Sequence, residues 1–248
     1  VFANQEIVEM IQLSMVIFGG SFFHGITGFG FGILALPFLI IFYNPHESII
    51  ITVTLAIINT IYLAIRTWND MTVALVRRFV VFGIFGLPFG IYFFVNFNVT
   101  TLKLIISVII ILFSLSLLFK WSYKFKNKKF ADSFVGFLSG VFQTSIGLSG
   151  IPPVVYLTIQ NCNKLSFRAS INAFFLFLMP CGLAIFWSLG GVDESVFYKA
   201  VPFIPIVICG QYLGIKLSKR FSQVMFRKIV IFTVMTAGIY NLAYLYLK

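Results

Sequence analysis

Apolar residues fill this chain in long, closely spaced blocks. They cover about 7–23, 29–43, 48–65, 79–95, 101–119, 133–146, 150–160, 169–189, 196–215 and 226–247. A helix crossing the hydrocarbon core needs roughly 20 apolar residues. The blocks 48–65, 79–95, 101–119, 169–189, 196–215 and 226–247 approach that length. The remaining blocks form two pairs with shorter members, 7–23 with 29–43 and 133–146 with 150–160, each joined at glycines. Each pair is expected to be a helical hairpin that bends inside the membrane or near its far face.

The first junction lies in Gly19–Pro37, GGSFFHGITGFGFGILALP, and a weaker copy lies in Gly136–Pro153, GFLSGVFQTSIGLSGIPP. Lipid offers no partner to an unpaired N–H or C=O, so a break at membrane depth must line a cavity or be buried in protein. In many transporters such broken segments hold the substrate. The two copies are therefore expected to make one central site.

Composition agrees with the pattern. Of 248 residues, 60% are hydrophobic and 10% charged, against about 25% charged in soluble domains. The net charge of +11 does not point to nucleic acid, because the basic residues fall between apolar spans and serve orientation. The first residues carry Glu6 and Glu9 and no Lys or Arg, so they lack a signal peptide's basic start, and the first block is expected to stay in the mature protein. Cys162, Cys181 and Cys209 have no metal-ligand spacing and read as reduced, buried small hydrophobes. Neither HExxH nor GxSxG occurs and only two His are present, so no enzyme and no cofactor are expected.

Charge also sets a topology. Lys120, Lys124, Lys126, Lys128 and Lys129 make the strongest basic loop, placed in the cytoplasm. If 133–160 goes in and comes back, Lys164, Arg168 and the cluster Lys216, Lys219, Arg220, Arg227 and Lys228 fall on the same side. Asp193, Glu194 and both termini then lie outside. Arg77 and Arg78 open a span from the inside and read mainly as anchors.

The halves resemble each other. Gly147 follows Gly28 by 119 positions, as Asn163 follows Asn44. Gly210 follows Gly86 by 124, as Gly214 follows Gly90 and Arg227 follows Lys103. Each half holds five membrane elements, an odd number, so two copies in one chain must run in opposite directions. The expected fold is an all-α polytopic membrane protein with two inverted-topology repeats, each a glycine-broken helical hairpin plus three transmembrane helices. Residues 1–129 form the first repeat, with hairpin 7–43 and the basic loop. Residues 130–248 form the second, with hairpin 133–160.

A helix that starts at membrane depth aims free N–H groups and roughly half a positive charge into the cavity, which suits a small anion. The helices after both glycine breaks are expected to do this. Gly28, Gly30 and Gly147 allow close approach, while Thr27, Gln143, Thr144, Ser145 and Ser149 add neutral hydrogen bonds. His24 stands one turn before the first break, where bonding to the anion competes with bonding to a neighbouring helix. Asn172 and Arg168 open a later span, and Asn59 is a further costly polar residue in one. No Asp or Glu falls within an expected span, so ion coupling through a buried acid is not expected.

These residues resemble the sulfite exporter TauE/SafE family of membrane transporters. The likeness rests on Gly25-Ile26-Thr27-Gly28-Phe29-Gly30-Phe31-Gly32 running to Pro37, on Gly140–Gly150 running to Pro152 and Pro153, and on the Gly86/Gly90 and Gly210/Gly214 pairs. It implies a multi-pass protein of a bacterial-type inner membrane. It further implies a secondary transporter of small sulfur-containing or organic anions such as sulfite, sulfonate or sulfoacetate. Export by alternating access is the expected mode, and an anion channel with the same site is the alternative. The partners are a small anion and the lipid bilayer, as a monomer or a homodimer.

Overall fold

Asn44 and Asn163 each begin a long helix. The side-chain oxygen of Asn44 accepts from the Glu47 N–H at 2.9 Å, and that of Asn163 from the Leu165 N–H at 3.1 Å. Each thereby satisfies a first-turn donor that has no intrahelical partner. The structure is a computed structural model that describes residues 2–118, 125–188 and 195–218. Among these every regular element is helical: α1 (Phe2–Thr27), α2 (Phe31–Phe42), α3 (Pro45–Thr67), α4 (Val73–Asn96), α5 (Val99–Leu118), α6 (Lys128–Ile146), α7 (Ile151–Ile159), α8 (Lys164–Ser188), α9 (Ser195–Ala200) and α10 (Ile204–Ser218), with two short 3₁₀ turns. Among the described residues, five helical stretches are long and apolar enough to cross a membrane: Ile7–Thr27, Pro45–Asp70, Val73–Asn96, Lys164–Ser188 and Ser195–Ser218. The expected span 226–247, the acidic pair Asp193–Glu194 and the basic residues Lys120, Lys124, Lys219, Arg220, Arg227 and Lys228 lie outside the described residues.

The α1–α2 and α6–α7 hairpins form where the glycines fall. Gly28 and Gly30 adopt φ of 86° and 92°, and Gly147 adopts 72°, a left-handed backbone that costs other residues about 1–2 kcal/mol. At the second break the Leu148 N–H reaches back to the Phe142 carbonyl, the closing bond of a glycine-capped helix end.

Helix α4 separates its faces by size. Phe85, Phe89 and Tyr92 are exposed, while Gly83, Gly86 and Gly90 are turned inward. A Cβ at Gly86 would overlap the Phe137 carbonyl oxygen, and one at Gly90 the Val141 carbonyl oxygen, so α4 and α6 pack parallel, backbone on backbone. The same contact joins α10 to α1: Gly210 lies on the Phe18 carbonyl and Gly214 on the Phe22 carbonyl.

Helices α3 and α8 are the most deeply covered of the five spans. His46 at the start of α3 bonds the Phe94 carbonyl at the end of α4, and the Phe94 ring packs on Phe186 near the end of α8. Beyond the end of α3, the Thr72 N–H bonds Ser170 and its hydroxyl meets Ser166, both near the start of α8. α3 and α8 thus run antiparallel.

One acid departs from the sequence reading. Helix α6 starts before the apolar block, and Asp132, in its second turn, is only 4% exposed. Its carboxylate takes a charge-assisted bond from Arg78 of α4 and a 2.6 Å bond from the Tyr156 hydroxyl of α7. Apolar periodicity marked where the block began but not where the helix began, and it passed over a charge that is buried because it is paired.

Candidate functional site

The two hairpin tips meet inside the bundle. A Cβ on Gly32, in the first turn of α2, would lie 3.5 Å from the Gly147 carbonyl oxygen and 3.5 Å from the Leu148 side chain. It would also lie 3.2 Å from the methyl group of Thr52 in α3. The first turn of α2 therefore packs against α3 and the second tip. The first intrahelical bond into α2 runs from the Leu34 N–H to the Gly30 carbonyl, so the amides of Phe31, Gly32 and Ile33 have no place in the helix ladder. Thr52 is 1% exposed, and its hydroxyl has no partner among the described residues.

The second tip is built differently. Helix α7 opens Ile151-Pro152-Pro153, and neither proline has an N–H. The Ile151 N–H is already bonded to the Leu148 carbonyl. The expectation that both helix starts present free amides holds for α2 and fails over these three positions of α7. Proline suits a helix start for the same reason that it makes a poor anion donor.

Helix α8 dresses the first tip. Arg168 and Asn172 stand one turn apart on one face. Asn172 donates to the Gly28 carbonyl at 2.7 Å, and Arg168 Nη2 to the Gly25 carbonyl at 3.0 Å. Both tie down carbonyls at the end of α1. A Cβ at Gly28 would lie 3.0 Å from the Arg168 side chain and 3.2 Å from Asn172 Nδ2. Arg168 Nε and Asn172 Oδ1 remain without partners among the described residues.

The other expected residues divide by what their polar atoms do. Thr27 donates toward the Phe23 and Phe29 carbonyls, at 2.9 and 2.5 Å, and shapes the turn itself. Thr144 donates to the Leu87 carbonyl at 2.6 Å and fixes α6 to α4. Ser145 bonds the Val141 carbonyl in its own helix at 2.7 Å. These hydroxyls are occupied by the fold. Gln143 and Ser149 differ: both are buried, and neither the Gln143 amide nor the Ser149 hydroxyl has a partner among the described residues. Gly30 packs on the Phe23 ring and Gly147 on Ile49.

His24 lies off the tips in a second polar chain. Its Nδ1 meets Gln211 Oε1 of α10 at 3.1 Å. Gln211 Nε2 donates to the Asn59 backbone carbonyl at 3.1 Å, and Asn59 Nδ2 to the Ser21 hydroxyl at 3.2 Å. The chain laces α1, α3 and α10 together. Thr52 and Gln211 escaped sequence reasoning. Gln211 carried a usable signal, an uncharged amide inside an apolar span that must find partners. Thr52 carried little, because a threonine in a helix usually bonds its own backbone.

The geometry is that of two broken helices meeting end to end, and the model of one family, Sulfite exporter TauE/SafE, matches residues 13–241. The chain belongs to the TauE/SafE sulfite exporter family. TauE/SafE is a family of membrane transporters, which agrees with the five spanning stretches and the broken hairpins. Comparison with curated proteins and with solved structures finds no match.

Proposed function

We propose that this TauE/SafE protein is a secondary transporter of small sulfur-containing or organic anions, held between the two hairpin tips. The observation that carries the reading is the first turn of α2, whose three leading amides lie outside the helix ladder, inside the protein, near a Thr52 hydroxyl that has no partner among the described residues. Free amides at a helix start favour an anion over a cation or a neutral solute. Donors without formal charge also let the anion leave, which turnover requires.

Alternating access is supported by the way the halves pack. Phe137 follows Phe18 by 119 positions and Val141 follows Phe22 by 119, while Gly210 and Gly214 follow Gly86 and Gly90 by 124. The contacts of α6 on α4 are thus those of α1 on α10, shifted by the repeat. The corresponding helices α3 and α8 run antiparallel, as an inverted repeat requires. Residues 1–129 and 130–248 are in this reading two units that rock about the tips. Export costs no coupled ion, since a negative interior favours anion exit by about 2.3 kcal/mol per charge per 100 mV. The membrane is that of a bacterial-type cell, with Arg168 and the start of α8 on the cytoplasmic side.

The test is a flux screen on purified protein in liposomes with sulfite, sulfate, thiosulfate, isethionate, taurine and short carboxylates. Saturable flux of at least one anion, with counterflow, is expected. Flux confined to a cation or a neutral solute would refute the reading.

A further inference from the structure

The two tips are equivalent in sequence but not in charge. Arg168 follows Ile49 by 119 positions and Asn172 follows Val53 by 119, the spacing that relates Gly147 to Gly28. The structure uses the first pair equivalently: a Cβ at Gly28 would lie against Arg168, and a Cβ at Gly147 would lie 3.1 Å from Ile49. One tip carries a cation where the other carries a buried isoleucine. Of the side chains nearest Gly28, Gly30, Gly32, Gly147 and Gly150, Arg168 alone is charged.

The charge at the tips can be counted. Each helix start contributes roughly half a positive charge and each helix end roughly half a negative one. The ends of α1 and α6 and the starts of α2 and α7 all lie at the tips, so the four helix contributions cancel to about zero. Arg168 remains, with one positive charge. The second tip adds neutral groups at Gln143 and Ser149 but no charge, and Pro152 stands where α2 has the free amide of Ile33. A single negative charge is neutralised here. A second would stay uncompensated at membrane depth, where it is costly.

Building on the anion-transport reading, we propose that the seat between the tips selects a compact monoanion over a dianion, with Arg168 setting the charge that is accepted. The acidic group sits at the start of α2 beside Thr52, and the uncharged remainder of the substrate lies toward Ile49 and the proline-led start of α7. The substrate class is a monovalent sulfonate or hydrogen sulfite, and not sulfate or a sulfocarboxylate.

The test compares isethionate with sulfoacetate, one charge against two at similar size, by calorimetric titration of the full chain in lipid nanodiscs at fixed ionic strength and neutral pH. Isethionate is expected to bind at least about tenfold tighter, a difference of about 1.4 kcal/mol. Arg168→Gln should remove most of that affinity. Ile49→Lys, which gives the second tip a cation, should move the preference toward sulfoacetate. If Ile49→Lys does not fold, the wild-type comparison and Arg168→Gln still decide. Sulfoacetate binding as tightly as isethionate, or tighter, would overturn the charge rule and leave anion transport standing. Binding of neither sulfonate, with a neutral solute or cation bound instead, would overturn both.

Discussion

Gly214 of α10 lies directly on the backbone carbonyl of Phe22 in α1, with no room for a β-carbon between them. Gly90 of α4 lies in the same way on Val141 of α6. These contacts hold each hairpin's long arm to a helix of the other half. Gly214→Leu and Gly90→Leu should each cost about 3 kcal/mol, because backbone rather than a movable side chain must give way. Thermal unfolding in detergent measures this. Gly19 has open space around it, so Gly19→Ala should leave stability unchanged or raise it by up to about 1 kcal/mol through helix propensity.

The tip glycines should fail for a different reason. Gly30→Ala forces a side chain onto a φ of 92° and toward the Phe23 ring, 2.8 Å away. Gly147→Ala forces one onto a φ of 72°. Each should lose about 1–2 kcal/mol of stability. Asparagine, which tolerates this conformation better, should lose less than alanine at Gly147 in the same melts.

Thr144 and Gln143 are neighbours with opposite expected phenotypes. Thr144→Val deletes the bond to the Leu87 carbonyl and should cost about 1–2 kcal/mol of stability, leaving substrate affinity little changed. Gln143→Leu deletes no bond in the structure and should leave the melt within about 1 kcal/mol of wild type. If the Gln143 amide serves the anion, its loss should appear in flux. Comparing melting with saturation kinetics for the pair separates the roles.

Asp132 should matter to folding. Asp132→Ala would strand Arg78 and the buried side of Tyr156 together and should cost about 3 kcal/mol. Arg78→Met with Asp132→Leu should recover part of that loss, since removing both charges is milder than removing one. Chemical denaturation of the single and double variants reads the difference.

Much of the helix layout was legible in the sequence, since unbroken apolar blocks in lipid leave few alternatives. The glycine spacings of 119 and 124 also marked residues that the structure uses in matching contacts. The tip chemistry was less legible. Thr27, Thr144 and Ser145 read as donors to a ligand, but a hydroxyl at a helix break or interface first satisfies the backbone nearest to it. Pro152 and Pro153 were visible as part of a motif, yet the missing amides mattered only once they fell in the first turn of α7. The pairing of Arg168 with Gly25 joins residues 143 positions apart, and no local pattern encodes it.

An anion seated at the start of α2 would lie against Gly32. Gly32 is helical, so Gly32→Ala adds only a methyl group, aimed at Thr52 and the second tip. Sulfonate counterflow in proteoliposomes should be compared for wild type, Gly32→Ala and the Gly19→Ala control, with folding checked by melting. Gly19→Ala should transport as wild type does, while Gly32→Ala should stay folded and lose at least about tenfold in transport efficiency, a loss of about 1.4 kcal/mol. Wild-type counterflow by a folded Gly32→Ala protein would contradict that seat.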